Sequence, residues 1–157
     1  MNHQRVPVPG SESRFVAGDR WLAVDVSGEP VTVSVMLRRS KDTTGDLLSA
    51  GYRPQSREEA EAALSARPED LAATRAFAEQ YGLQVIEENT LARRVRLSGT
   101  ARQMAEAFGI TLGEAESSTG HRFLTYKGTI SVPEPLGAAV TAVLGLDQRP
   151  VARPATQ

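Results

Sequence analysis

The 157-residue sequence contains no cysteine, which excludes disulfides, thiolate nucleophiles and cysteine-ligated metals. The fold must therefore be held by its core and its hydrogen bonds. Aromatics are scarce, at 5% of residues with a single tryptophan. Neither sign of charge is in excess: 18 Lys and Arg stand against 19 Asp and Glu, a formal net charge of -1. Such a balance makes no global field that would draw the chain to nucleic acid or to an anionic membrane, so neither is expected as a partner. No apolar run approaches the roughly 18 residues of a membrane span, and residues 1–14 lack the apolar stretch of a secretory signal. Enzyme signatures are missing too: there is no Gly-x-Ser-x-Gly, no Gly-rich phosphate loop, no His-Glu-x-x-His and no calcium loop. No cofactor is expected in this chain.

With 40% apolar and 24% charged residues, the chain suffices for one core of ordinary size. Residues 1–30 mix Pro, Gly, Ser and both charges without sustained periodicity and read as a flexible N-terminal arm, with a local anchor at Phe15 and Trp21. From Val31 the pattern turns to alternation: Val31, Val33, Val35 and Leu37 share one face of a half-buried strand, and Thr32, Ser34 and Met36 the other. Residues 41–54 have loop composition. Ser56 with Glu59 makes a capping box that opens a short helix to about Ala66.

Pro68, Glu69 and Asp70 suit the first turn of a second helix, and Gly82 its left-handed end; Ala73, Phe77 and Tyr81 line its core side. Leu83 to Glu87 and Ala92 to Leu97 read as a hairpin, with Arg94 and Arg96 opposite the core-facing Val95 and Leu97. A further helix is capped by Thr100 with Gln103, presents Ala101, Met104 and Phe108 inward, and stops at Gly109. Strands follow from Ile110 and from His121 to Lys127, then an apolar helix from Pro133 to Leu144. The order strand, helix, strand, strand, helix, strand predicts an α+β fold with a ferredoxin-like split βαβ core, its helices on one face of an antiparallel sheet. The domain is expected to occupy residues 31–147, and the proline-bearing residues 148–157 an extended tail.

Side chains that tempt a catalytic reading are few. His3 lies in the arm and His121 beside a turn, and a metal site needs several converging ligands. Ser98 lacks a base and an oxyanion hole, and is better placed to serve the entry to the next helix. Glu58, Glu59, Glu61, Glu69, Asp70 and Glu79 are spread over two helices, as on a solvated face. Arg93, Arg94 and Arg96 form a basic strand, but the aromatic pairs of an RNA-stacking sheet are absent from both hairpin strands. An uncovered sheet face bearing Met36, Ile86, Arg94 and Arg96 is either solvated or a docking surface.

Four segments in order carry a resemblance: Arg75-Ala-Phe-Ala-Glu-Gln-Tyr-Gly82, Val95-Arg-Leu-Ser-Gly-Thr100, Met104-Ala-Glu-Ala-Phe-Gly109, and Ala142-Val-Leu-Gly-Leu-Asp-Gln-Arg-Pro-Val-Ala-Arg-Pro154. Together, over about Val31 to Pro154, they resemble the activation propeptide of the sedolisins, the serine-carboxyl peptidases, in their kumamolisin-like branch.

The resemblance implies a non-catalytic inhibitor and folding assistant for a cognate peptidase domain, within a secreted zymogen activated by acid. It implies that one sheet face docks on the peptidase, with Thr32, Ser34, Met36, Ile86, Arg94 and Arg96 as the positions that alternation assigns. It also implies that the segment Arg149, Pro150, Val151, Ala152, Arg153 and Pro154 lies along the active-site cleft, as an extended strand suits a protease. The catalytic residues of the parent serine-type endopeptidase, and its calcium, are expected only in the peptidase domain. Alone, the chain is expected to be a monomer. Arginines at 94, 96 and 149 facing partner carboxylates would lose their attraction below about pH 4. Two rival readings are a free-standing protease inhibitor and a small ligand-binding regulatory domain of the same topology.

Overall fold

A computed structural model describes residues 4–40 and 57–149. Nine strands and four helices follow one another there: β1 (Arg5–Glu12), β2 (Arg20–Leu22), β3 (Pro30–Leu37), α1 (Arg57–Leu64), α2 (Pro68–Gln80), β4 (Gln84–Asn89), β5 (Arg94–Thr100), α3 (Ala101–Phe108), β6 (Thr111–Glu116), β7 (Arg122–Lys127), β8 (Thr129–Pro133), α4 (Glu134–Gly137) and β9 (Val140–Leu144). The predicted loop at 41–54 and the Ser56 cap lie outside the described residues. The largest sheet has the order β4-β5-β3-β9 with antiparallel neighbours throughout. That is the ferredoxin-like order, with helices α2 and α3 supplied by the two crossovers.

Alternation builds the core. Val31, Val33, Val35 and Leu37 of β3 are buried, as are Val95 and Leu97 of β5. Against them pack Leu71, Phe77 and Ala78 of α2 and Ala101, Met104, Ala107 and Phe108 of α3. The Phe77 and Phe108 rings meet with centroids 5.4 Å apart and planes tilted by 56°, a geometry that aromatic quadrupoles favour. Helix α3 starts where expected: the Thr100 side chain accepts from the Gln103 amide, and the Gln103 side chain accepts from the Thr100 amide. It ends at Gly109, whose φ of 67° costs a glycine little.

Three expectations are corrected. Residues 1–30 are not a loose arm over the part described: β1 pairs with β8 and β2 with β6. Pro7, Pro9 and Gly10 hid the strand by breaking its periodicity, yet prolines are tolerated where a strand has a free edge, and the β1–β8 register shifts between Pro7 and Glu12. Second, the strand expected from Ile110 runs over Thr111–Glu116 and does not complete the core sheet; β6 is the middle strand of a separate sheet, β2-β6-β7. Third, the helix expected over Pro133 to Leu144 is a single turn, Glu134–Gly137, followed by strand β9. A short apolar run satisfies either period; β-branched Val140, Thr141 and Val143 favour the strand, and β9 satisfies the backbone groups on the second edge of β3.

Arg5 locks the first strand to the core. Its guanidinium donates to the Ala107 carbonyl at 2.6 Å, the Ser131 carbonyl at 2.8 Å, the Tyr81 hydroxyl at 3.1 Å and Ser131 Oγ at 3.2 Å. One side chain thus joins β1, β8, the C-terminal cap of α2 and the last turn of α3, whose terminal carbonyls favour a cation.

Candidate functional site

The face of the four-stranded sheet opposite α2 and α3 is the surface that the sequence analysis singles out. Ser34 stands directly across from Arg96 on one side and Leu144 on the other; Met36 stands likewise between Arg94 and Ala142. Thr32 faces Ser98. These registers put Thr32, Ser34, Met36, Arg94 and Arg96 together, as alternation predicts. Ile86 reaches the same side by a different route: the β4–β5 register shifts between Val85 and Glu87, so Ile86 sits in a bulge beside Glu87. Ile86 is 48% exposed and Leu144 56%.

Sequence reasoning missed Ala142, Leu144 and Glu87. The first two were hidden by reading their segment as helix; Glu87 was hidden by the bulge, which moves it onto the arginine side. Arg94 holds Glu87 with Nη2 at 2.7 Å and Nε at 3.1 Å from Oε1. Arg96 forms no ion pair among the described residues. The surface is therefore amphipathic across its width: a basic and acidic margin on β4 and β5, and an apolar margin on β9.

The remaining candidates are placed as structural groups. Arg93 takes φ 57° at the hairpin, and its guanidinium donates to the Leu64 carbonyl at 2.9 Å. His121 closes the β6–β7 hairpin through its backbone, accepting from the Ser117 amide and donating to Ser117 Oγ. Ser98 stands in β5 opposite Gln84 and Thr32; no hydrogen bond joins its hydroxyl to a base among the described residues. Asp70 departs from the solvated face expected of it. It is buried, and the Arg38 guanidinium donates to both its oxygens at 3.0 and 3.3 Å. Among the described residues no three His, Asp or Glu gather as metal ligands.

Arg149, the first residue of the expected cleft-lying segment, is not free. Its guanidinium grips the Asp19 carboxylate, donates to the Arg14 carbonyl at 3.3 Å and stacks 4.5 Å from the centre of the Phe123 ring. The Arg149 hydrogen bond, foremost, holds the Asp19 carboxyl below its ordinary value, with the Val16 amide adding to it. One residue earlier, the Gln148 amide donates to the Leu124 carbonyl at 2.8 Å. Pro150, Val151, Ala152, Arg153 and Pro154 lie outside the described residues.

Fold and surface define an α+β domain of ferredoxin-like core, with helices on one sheet face and a mixed apolar and charged surface on the other. The model of the family "Pro-kumamolisin, activation domain" matches residues 26–149, and the chain belongs to that family, the propeptides of the sedolisin peptidases. It is similar to kumamolisin of Bacillus sp. (strain MN-32), at 34% identity over 135 residues, covering 79% of this chain and 24% of that protein. The chain thus spans about a quarter of the length of that relative.

Proposed function

We propose that this chain inhibits a sedolisin-type peptidase domain and assists its folding, within a secreted zymogen, until cleavage in acid. Docking is through the open sheet face, at Thr32, Ser34, Met36, Ile86, Arg94 and Arg96, extended by Ala142 and Leu144. The segment Arg149 to Pro154 leads toward the cleft, and calcium and the catalytic residues reside in the partner. The observation that carries this reading is the cross-strand row Arg96–Ser34–Leu144. It sets a cation, a small hydroxyl and an exposed leucine side by side on the open sheet face. Protein interfaces combine apolar and charged surface in this way, being about as apolar, taken whole, as the rest of a protein surface.

The acid response expected of arginines 94, 96 and 149 takes a narrower form. Arg94 already pairs with Glu87 and Arg149 with Asp19 inside the chain. Arg96 is the cation of the docking face best placed to meet a partner carboxylate, and protonation of that carboxylate below about pH 4 weakens the pair.

The test is residual activity of a mature kumamolisin-type peptidase against rising amounts of the chain, at about pH 6 and about pH 3, on either side of the carboxylate range. Tight inhibition at the higher pH, lost with digestion of the chain at the lower, is expected. A folded chain that inhibits at neither pH refutes the reading.

A further inference from the structure

The exit from the domain is built with more care than a linker requires. Strand β9 ends at Leu144, and the chain turns at Gly145, where φ is 111° and an added Cβ would stand 2.6 Å from the Thr32 carbonyl oxygen. Leu146 is then fully buried. The Gln148 amide bonds to β7 through Leu124, and Arg149 reaches across to the segment between β1 and β2. Asp19 is held ready there by the turn in which its carboxylate accepts from the Val16 amide at 2.8 Å. The Asp19 side chain is only 1% exposed, and the Phe123 ring covers the guanidinium. A forked, shielded pair of this kind is directional as well as attractive.

We propose that Arg149 is a positioning residue: its clasp on Asp19, with Gln148 on Leu124 and the Phe123 ring beneath, fixes where and in which direction the chain leaves the domain. Protonation of Asp19 opens the clasp and frees the exit segment. This rests on the propeptide reading, in which residues after Arg149 lead to the peptidase cleft. A domain docked by its sheet face delivers its exit segment to one place only if the chain is anchored where it leaves the domain, since each unanchored residue adds about 3.5 Å of reach. The anchoring is itself acid-sensitive. The groups that face the Asp19 carboxylate are the Arg149 guanidinium and the Val16 amide; Asp147 acts on Arg149 from the exit segment, and neighbouring Arg20 is turned to Glu116. The pair is therefore engaged above the ordinary carboxylate range and released below it.

Amide exchange on the 157-residue chain reads the clasp directly. Protection of the Gln148 amide, corrected for intrinsic rate, is expected to fall about fivefold in Asp19→Asn at about pH 6. In the wild type it holds at about pH 4, because Arg149 keeps the Asp19 carboxyl below its ordinary value, and falls toward the same level only as the pH drops further, while core amides such as Val95 keep their protection. Arg149→Lys, which keeps the charge but not the fork, falls between the two. Equal Gln148 protection in wild type and Asp19→Asn, or a wild-type protection that ignores pH, overturns the proposal. The wild-type profile needs no variant, so poor folding of Asp19→Asn leaves the test intact. In the peptidase assay at about pH 6, Asp19→Asn is expected to inhibit less tightly than wild type. Wild-type inhibition matched by Asp19→Asn refutes the positioning role and leaves the propeptide reading standing. Absence of wild-type inhibition refutes the propeptide reading, while the exchange profile still decides the clasp.

Discussion

Arg5 reaches four acceptors with one planar fork, a geometry that only the guanidinium group offers. Arg5→Ala leaves the Tyr81 hydroxyl and the carbonyls of Ala107 and Ser131 without that donor, and a loss of about 2–3 kcal/mol in urea unfolding is expected. Arg5→Lys is expected to recover less than half, because a single ammonium cannot meet acceptors spread over four elements; full recovery contradicts the fork argument. In the sequence, Arg5 is one charged residue in a segment without periodicity. Its role depends on Ser131, more than 120 positions away, which no local pattern announces. Asp70 teaches the same lesson: its place in a helix first turn is legible, whereas its burial against Arg38 is not.

Helices with local stop and start signals were the most legible elements. Thr100, Gln103 and Gly109 state the beginning and end of α3 in the chain itself, and each takes the conformation its chemistry favours. Thr100→Ala is expected to lower stability by about 1 kcal/mol in thermal unfolding, since the Gln103 amide loses its cap; no change would mean that packing of Met104 and Phe108 alone determines where α3 starts. Strand β3 was equally legible because its alternation is strict over Val31 to Leu37. Strands β1 and β9 were not. Each pairs with a strand remote in sequence, and each carries an ambiguous pattern, prolines in one and a compact apolar run in the other. The bulge at Ile86 was likewise silent, and with it the placing of Glu87 across from Arg96, where its carboxylate pairs with Arg94.

The molecule as a whole presents one open sheet face and responds to acid through its ion pairs. Leu144 lies on that face, across from Ser34 and over half exposed. Leu144→Asp is expected to weaken inhibition of the peptidase at least about tenfold while changing urea stability by no more than about 0.5 kcal/mol. Unaltered inhibition would place docking elsewhere. Glu88 is held below its ordinary value chiefly by the Arg75 hydrogen bond, as Asp19 is by Arg149. A carboxylate whose folded value is depressed contributes stability that is complete above its unfolded value and is lost as pH falls through the folded one. The urea midpoint is therefore expected to hold from about pH 6 to about pH 4 and to fall below it; Glu88→Gln starts lower and falls less, and a midpoint level to about pH 2 contradicts both pairs. The amino-acid sequence by itself determined the α+β class, the capped helix α3, the β3 core face and the family, because these rest on periodicities and motifs only a few residues long. Tertiary structure alone decided that β9 rather than β6 completes the core sheet, that the amino-terminal segment is woven into two sheets, and that Arg149 is clasped by Asp19. Those outcomes depend on which distant strand edge or buried charge is left to satisfy, and that is settled only when the whole chain has packed.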